Sequence, residues 1–126
     1  MREPCRFRRT QRLLRATDFQ FVFDQPCRSS DAHFTVLARA NQLEWGRLGL
    51  VIARKHVRLA VARNRLKRLA RESFRLNQQR LVGLDCLVLA KKGATETPNA
   101  QLLQSLARHW QYVARRCHSK KSSPPS

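Results

Sequence analysis

Acidic residues are what this chain has least of: eight Asp and Glu stand against 26 Lys and Arg in 126 residues, a formal net charge of +18. That imbalance goes far beyond what solubility requires and selects a polyanionic partner, with nucleic acid first. The few acids, Asp18, Asp24, Asp31 and Asp85 with Glu3, Glu44, Glu72 and Glu96, are scattered singly. None forms the D-x-D type of pairing that holds catalytic metal ions. His33, His56, His109 and His118 are equally isolated, so no acid–base pair is visible. A Walker loop and a dinucleotide fingerprint are absent as well. The chain reads as a binder, and a nuclease acting alone is disfavoured.

Long apolar runs are also missing. Nothing approaches the roughly 20 residues of a membrane-spanning helix. The early arginines, from Arg2 to Arg15, are not followed by the apolar stretch of about 7 to 15 residues that makes a signal peptide. A cytoplasmic protein is expected, and a basic membrane-surface protein is the weaker rival because the apolar residues come in short, core-like runs. Cys5, Cys27, Cys86 and Cys117 lie far apart, without C-x-x-C or a nearby Cys/His pairing. They read as reduced thiols, not zinc ligands.

The length fits one domain with a real core. Residues 1–12 are arginine-rich and aperiodic and read as a flexible basic arm, residues 13–117 as a single domain, and residues 118–126 as a disordered polar tail. Thr17 with Gln20 has a capping-box pattern, and Phe19, Val22 and Phe23 then share a helical face. Residues 25–32, with Pro26, read as a loop that could hide a short strand. His33 to Arg39 alternates as a strand. Residues 41–46 read as a turn, and the apolar run Leu48 to Ala53 reads as a central strand that pairs with the previous one as a hairpin. Asp85 to Ala90 is a third strand. Thr97 and Pro98 open a last helix whose Leu103, Leu106, Trp110 and Val113 form a core stripe.

Between the second and third strands lies the strongest signal. Arg63 to Arg75 carries six positive charges and one negative. Leu66, Leu69, Ala70, Ser73 and Phe74 fall on one stripe and dock the helix on the sheet. Arg63, Lys67 and Arg71 follow one flank, Asn64, Arg68 and Arg75 the back, and Arg65 the other flank. Glu72 lies four residues after Arg68, a pair worth ~0.3 to 0.5 kcal/mol if exposed, which leaves the field intact. Arg54 and Lys55 extend the basic surface to the preceding strand end. Guanidinium groups bind phosphate bidentately and stack on bases, so folded RNA suits this helix. Flanking strands argue against a helix-turn-helix. Phe19 and Phe23 are either core or a stacking surface for single-stranded nucleic acid beside the basic groove.

The pattern Arg63-Asn64-Arg65-x-Lys67-Arg68-x-x-Arg71-Glu72-x-Phe74-Arg75 resembles the signature of the bacterial ribonuclease P protein subunit. Arg47-x-Gly49-Leu50-x-x-Ala53-Arg54-Lys55, Asp18-Phe19-x-x-Val22-Phe23 and Val88-x-Ala90-Lys91-Lys92-Gly93 stand in that family's order, so the resemblance runs from about Leu13 to Cys117. It implies an α+β fold, an α-β-β-β-α-β-α two-layer sandwich with a central mixed sheet, and a left-handed β-α-β crossover where general rules favour the right-handed one. It implies a protein subunit of an endoribonuclease that removes the 5′ leader of precursor tRNA, the RNA subunit being the catalyst and holding Mg2+. By the same resemblance, Arg54, Lys55, Arg63, Asn64, Arg65, Lys67, Arg68 and Arg71 would face the catalytic RNA. Phe19, Phe23, His33, Thr35 and Leu37 would line a cleft for the leader of the precursor tRNA substrate. The alternative is a general RNA-binding protein of ribosomal or assembly type, which explains the charge but not the central motif.

Overall fold

A computed structural model of the chain describes residues 12, 13 and 15–122, with side chains to His118. Most of the basic arm and Cys5 therefore lie outside the described residues. The elements are α1 (Ala16–Asp24), β1 (Cys27–Ser30), β2 (Phe34–Ala40), β3 (Arg47–Val51), α2 (Ala60–Leu76), β4 (Leu84–Ala90), a 3-10 turn (Lys92–Glu96) and α3 (Asn99–Ser122). The ambiguous segment before His33 does hold a strand, β1. Among the described residues, no helix is long and apolar enough to cross a membrane.

The sheet order is β1-β2-β4-β3, with β4 antiparallel to β2 and parallel to β3. The expected hairpin between β2 and β3 does not form, and β3 is not central. β4 takes the slot between them because six of its seven residues are buried, as a strand covered on both faces requires. β3 is shorter and only half covered at Leu50 and Val51. Residues 41–46 therefore bridge over the start of β4 and do not turn between partners. Asn41 donates its backbone N–H to the Gly83 carbonyl (2.8 Å), and Gln42 adopts a left-handed φ of 62°. Asp85, fully buried, fastens this crossing. It accepts hydrogen bonds from Arg47 Nε (2.8 Å) and Nη2 (2.6 Å) and from Asn41 Nδ2 (2.7 Å).

One sheet face carries the main core. Phe34, Val36, Leu48, Cys86 and Val88 pack there against Leu66, Ala70 and Phe74 of α2 and Leu102, Leu106, Trp110 and Val113 of α3. Leu102, not Leu103, occupies the innermost position near the start of α3. Trp110 meets Phe74 edge to face at 5.8 Å and donates its indole N–H to Ser73 Oγ (2.8 Å), so its polar edge is satisfied inside the core. A smaller cluster of Leu13, Val22, Leu37 and Leu87 forms under α1 on the opposite face. Leu13 is drawn in by its N–H bond to the Leu48 carbonyl (2.8 Å). Arg15, not Thr17, stands at the N-cap of α1, without a side-chain cap. α3 runs five residues past the expected domain end at Cys117, to Ser122, so the start of the expected disordered tail is helical. Cys27, Cys86 and Cys117 are buried free thiols.

The β1–β2 turn is tied to α3 by charge. Asp31 accepts the backbone N–H groups of His33 (2.8 Å) and Phe34 (3.0 Å) and the Ser105 hydroxyl, and lies 3.2 Å from His109 Nε2. Burial opposes its charge, but Ser105, the two amides and His109 outweigh that and hold the carboxyl well below the usual carboxylate range. Burial pushes the His109 imidazole down, although Asp31 pulls the other way. A depressed carboxyl adds stability above its unfolded pKa and loses it as pH falls towards the folded value. The difference in urea midpoint between the wild type and Asp31→Asn should therefore be constant near neutrality and shrink below about pH 4. A gap as wide at pH 3 as at pH 6 would exclude this linkage.

Candidate nucleic-acid interface

Two surfaces meet at the end of β3. The first is the sheet face that α1 covers only in part. Strand register sets Arg28, Leu37, Leu87 and Gly49 in one cross-sheet row and Ser30, Thr35, Leu89 and Val51 in the next. α1 closes over the first row. The Phe19 ring settles against Gly49, where an added Cβ would stand 2.7 Å from Phe19 Cε1 and 2.6 Å from Leu87 Cδ2, so glycine makes the space for the ring. The second row stays partly open. Thr35 Oγ1 and Ser30 Oγ share a hydrogen bond (3.0 Å), and Lys91 Nζ donates to Ser30 Oγ (2.8 Å). His33 is half-buried just beyond this row, opposite Lys91, with Nδ1 3.4 Å from Thr97 Oγ1.

Leu37 does not line the open surface. It is 7% exposed, sealed beneath α1 with Leu13, Val22 and Leu87, because its alternation with Thr35 puts it one pleat further under the helix. Phe23 is 43% exposed and free of the core, whereas Phe19 is half-buried. The shared face expected for Phe19, Val22 and Phe23 is thus split three ways. Sequence reading passed over Phe21 and Arg39, although they form a unit here. The Arg39 guanidinium stacks 3.9 Å from the Phe21 ring centroid and donates to the Phe21 carbonyl (2.7 Å). Nothing local signals that pair, since 18 residues separate its members.

The second surface is the outer side of α2 and the loop before it. Arg54, Lys55, Asn64 and Arg68 are exposed, and Lys67 and Arg71 are half-buried. Arg71 is made less basic by burial and by the neighbouring Arg12, a meeting of like charges that an external anion would relieve. Glu72 pairs with Arg75, three residues on, and not with Arg68, which leaves Arg68 without a counter-ion among the described residues. Arg63 and Arg65 differ from the rest. Arg63 Nη1 donates to the carbonyls of Val57 (3.0 Å) and Arg58 (2.8 Å). Arg65 donates to Asn99 Oδ1 (2.7 Å) and to the carbonyls of Thr95 (3.1 Å) and Thr97 (2.5 Å). Beside them, an open cleft of ≈ 490 Å³ separates the first turn of α2 from the 3-10 turn, with His56, Arg58, Lys92 and Glu96 on its walls and Leu59 and Ala62 between them.

The family model described as Ribonuclease P matches residues 7–114. The chain belongs to the ribonuclease P protein family. A ribonuclease P protein component of Methylococcus capsulatus is 52% identical over 118 residues, covering 94% of this chain and 91% of its own length. The solved ribonuclease P protein of Thermotoga maritima superposes with a TM-score of 0.73 at 31% identity, covering 81% of this chain and 96% of that one. A Staphylococcus aureus ribonuclease P protein variant gives 0.76 at 26% identity, covering 82% and 87%. Membership makes the chain one part of the ribonucleoprotein that removes the 5′ leader of precursor tRNA, associated with the ribonuclease P RNA.

The two family phenylalanines of α1 should separate in stability measurements. Phe19→Ala empties a packed site and should cost about 1 to 3 kcal/mol, while Phe23→Ala should change stability by no more than about 0.5 kcal/mol. Thermal melts of both variants check this. Equal losses would mean that Phe23 is packed after all.

Proposed function

We propose that the chain works in the cytoplasm, bound to the catalytic RNA through the outer side of α2, and steadies the precursor tRNA leader on the open sheet face. The observation that carries this reading is the partition of charge on α2: its one carboxylate is taken by Arg75, and Arg68 with Asn64, Lys67 and the loop cations Arg54 and Lys55 is left to face outward. Such a surface takes phosphates without reading sequence. The open row with Thr35 and Leu89, flanked by His33, Phe19 and Phe23, offers ring faces and hydroxyls to an unpaired strand, which suits leaders of varied sequence.

Cleavage chemistry is assigned to the RNA and to the Mg2+ it holds. In this reading the chain's own part is electrostatic and positional. It neutralises phosphates that would otherwise repel each other and holds the leader beside the cut.

Reconstitution tests the reading: catalytic RNA should cleave precursor tRNA at low magnesium faster with the chain than without it. Absence of stimulation despite tight RNA binding would leave only a general RNA-binding role, and cleavage by the protein alone would reinstate a nuclease. Phe23→Ala should slow cleavage of substrates with leaders of several nucleotides more than that of substrates with a minimal leader. An equal effect on both substrates would remove the leader from the sheet face.

A further inference from the structure

We propose that Arg65, at the centre of the basic motif, is a positioning residue and not an RNA contact: its guanidinium latches the junction of the 3-10 turn and α3 onto α2, and so sets the far wall of the basic cleft. The proposal deepens the RNA-binding reading of α2 and rests on it.

The geometry is specific. The Nε and Nη2 edge is the pair of parallel donors with which arginine grips a phosphate bidentately. In Arg65 that edge is occupied by Asn99 Oδ1 (2.7 Å) and the Thr97 carbonyl (2.5 Å), while Nη1 reaches the Thr95 carbonyl (3.1 Å). All three nitrogens are engaged, and every acceptor lies 30 to 34 residues away in the chain. Those acceptors are groups that the end of a 3-10 turn and the start of α3 would otherwise leave to solvent. Arg68, one turn further along α2, has an exposed side chain and, among the described residues, no such partners.

The latch matters for the cleft because Lys92 and Glu96 stand on the turn that Arg65 holds, facing His56 and Arg58. Arg63 does the same for the opposite wall through the Val57 and Arg58 carbonyls. Two motif arginines thus fix the spacing between the cations of the two loops. A preset spacing spares RNA the cost of ordering both loops when it binds.

Arg65→Lys separates latch from contact, since it keeps the charge and loses the fork. In the free protein, the Thr97 amide, bonded to the Ala94 carbonyl (3.2 Å), should exchange faster with deuterium in Arg65→Lys than in wild type. In binding to the ribonuclease P RNA, Arg65→Lys and Arg65→Ala should lose affinity alike, by roughly tenfold, the worth of one to two lost hydrogen bonds. Both should keep the wild-type dependence of log affinity on log salt, whereas Arg68→Ala should flatten it by about 0.7 to 0.9, one phosphate contact. Asn99→Ala, which alters no charge, should reproduce part of the loss and add little on top of Arg65→Lys.

Wild-type affinity in Arg65→Lys, or a salt slope flattened by one contact in Arg65→Ala, would overturn the proposal. If the wild-type chain failed to bind the RNA at all, the RNA-binding reading would fall, and the exchange measurement would still decide whether the latch exists.

Discussion

The arrangement hangs on one buried carboxylate. Asp85, the second residue of β4, is fully buried, a position a charge tolerates only when paired and hydrogen-bonded. Arg47 binds it through two nitrogens and Asn41 through one. Asn41 directly follows β2 and Arg47 opens β3, so the carboxylate joins the three strands whose order a plain hairpin would have made different. With β4 locked between its neighbours, Gly49 lies beside Leu87 and receives the Phe19 ring, and β3 points its end at Arg54, Lys55 and α2. The pairing also raises the basicity of Arg47, mainly through its hydrogen bonds to Asp85. Both candidate surfaces inherit their placement from this crossing.

Arginine plays two physical parts in this molecule. Arg39, Arg47, Arg63 and Arg65 turn inward to carbonyls, an aromatic ring or the buried acid. Arg54 and Arg68 stay out in solvent. A planar fork with five donors can hold loops together across long stretches of chain, as lysine cannot. Part of the positive charge thus serves the fold as structural donor. The outward cations of α2 and the loop before it, Arg54, Lys55 and Arg68 among them, stay available to a polyanion.

Periodicity carried much of the sequence reading, and long-range pairing defeated the rest. α2 was legible because Leu66, Ala70, Ser73 and Phe74 repeat at helical spacing, and all four are buried. The strand expected at Asp85 to Ala90 was legible from the apolar run Cys86 to Ala90. The β2–β3 hairpin was not, since adjacency in sequence favours it and only Asp85, more than forty residues downstream of Asn41, overrides it. Leu37 was misplaced because a two-residue alternation tells which residues share a face but not how far a helix extends over that face. The motif showed that its arginines matter. It could not show that Arg63 and Arg65 turn back onto their own chain, because their acceptors are backbone carbonyls, which every residue has.

The strand order brings the open row to the β3 end of the sheet, from which the chain runs on to Arg54, Lys55 and α2. The open row runs Ser30, Thr35, Leu89, Val51 across four strands, three inter-strand gaps of about 4.8 Å each. It ends on β3, three residues before Arg54. A nucleic-acid strand lying along that row would leave the sheet at Val51 and meet Arg54 and Lys55, and among the described residues the nearby acids Asp18, Asp85 and Glu72 each lie against an arginine. At roughly 14 Å the row seats only a few nucleotides. Hydroxyls and apolar side chains would hold such a strand there, and cations would take over where its backbone emerges. Had β2 and β3 paired as a hairpin, Leu89 would not lie between Thr35 and Val51, and the path from ring faces to basic helix would be broken at the sheet centre.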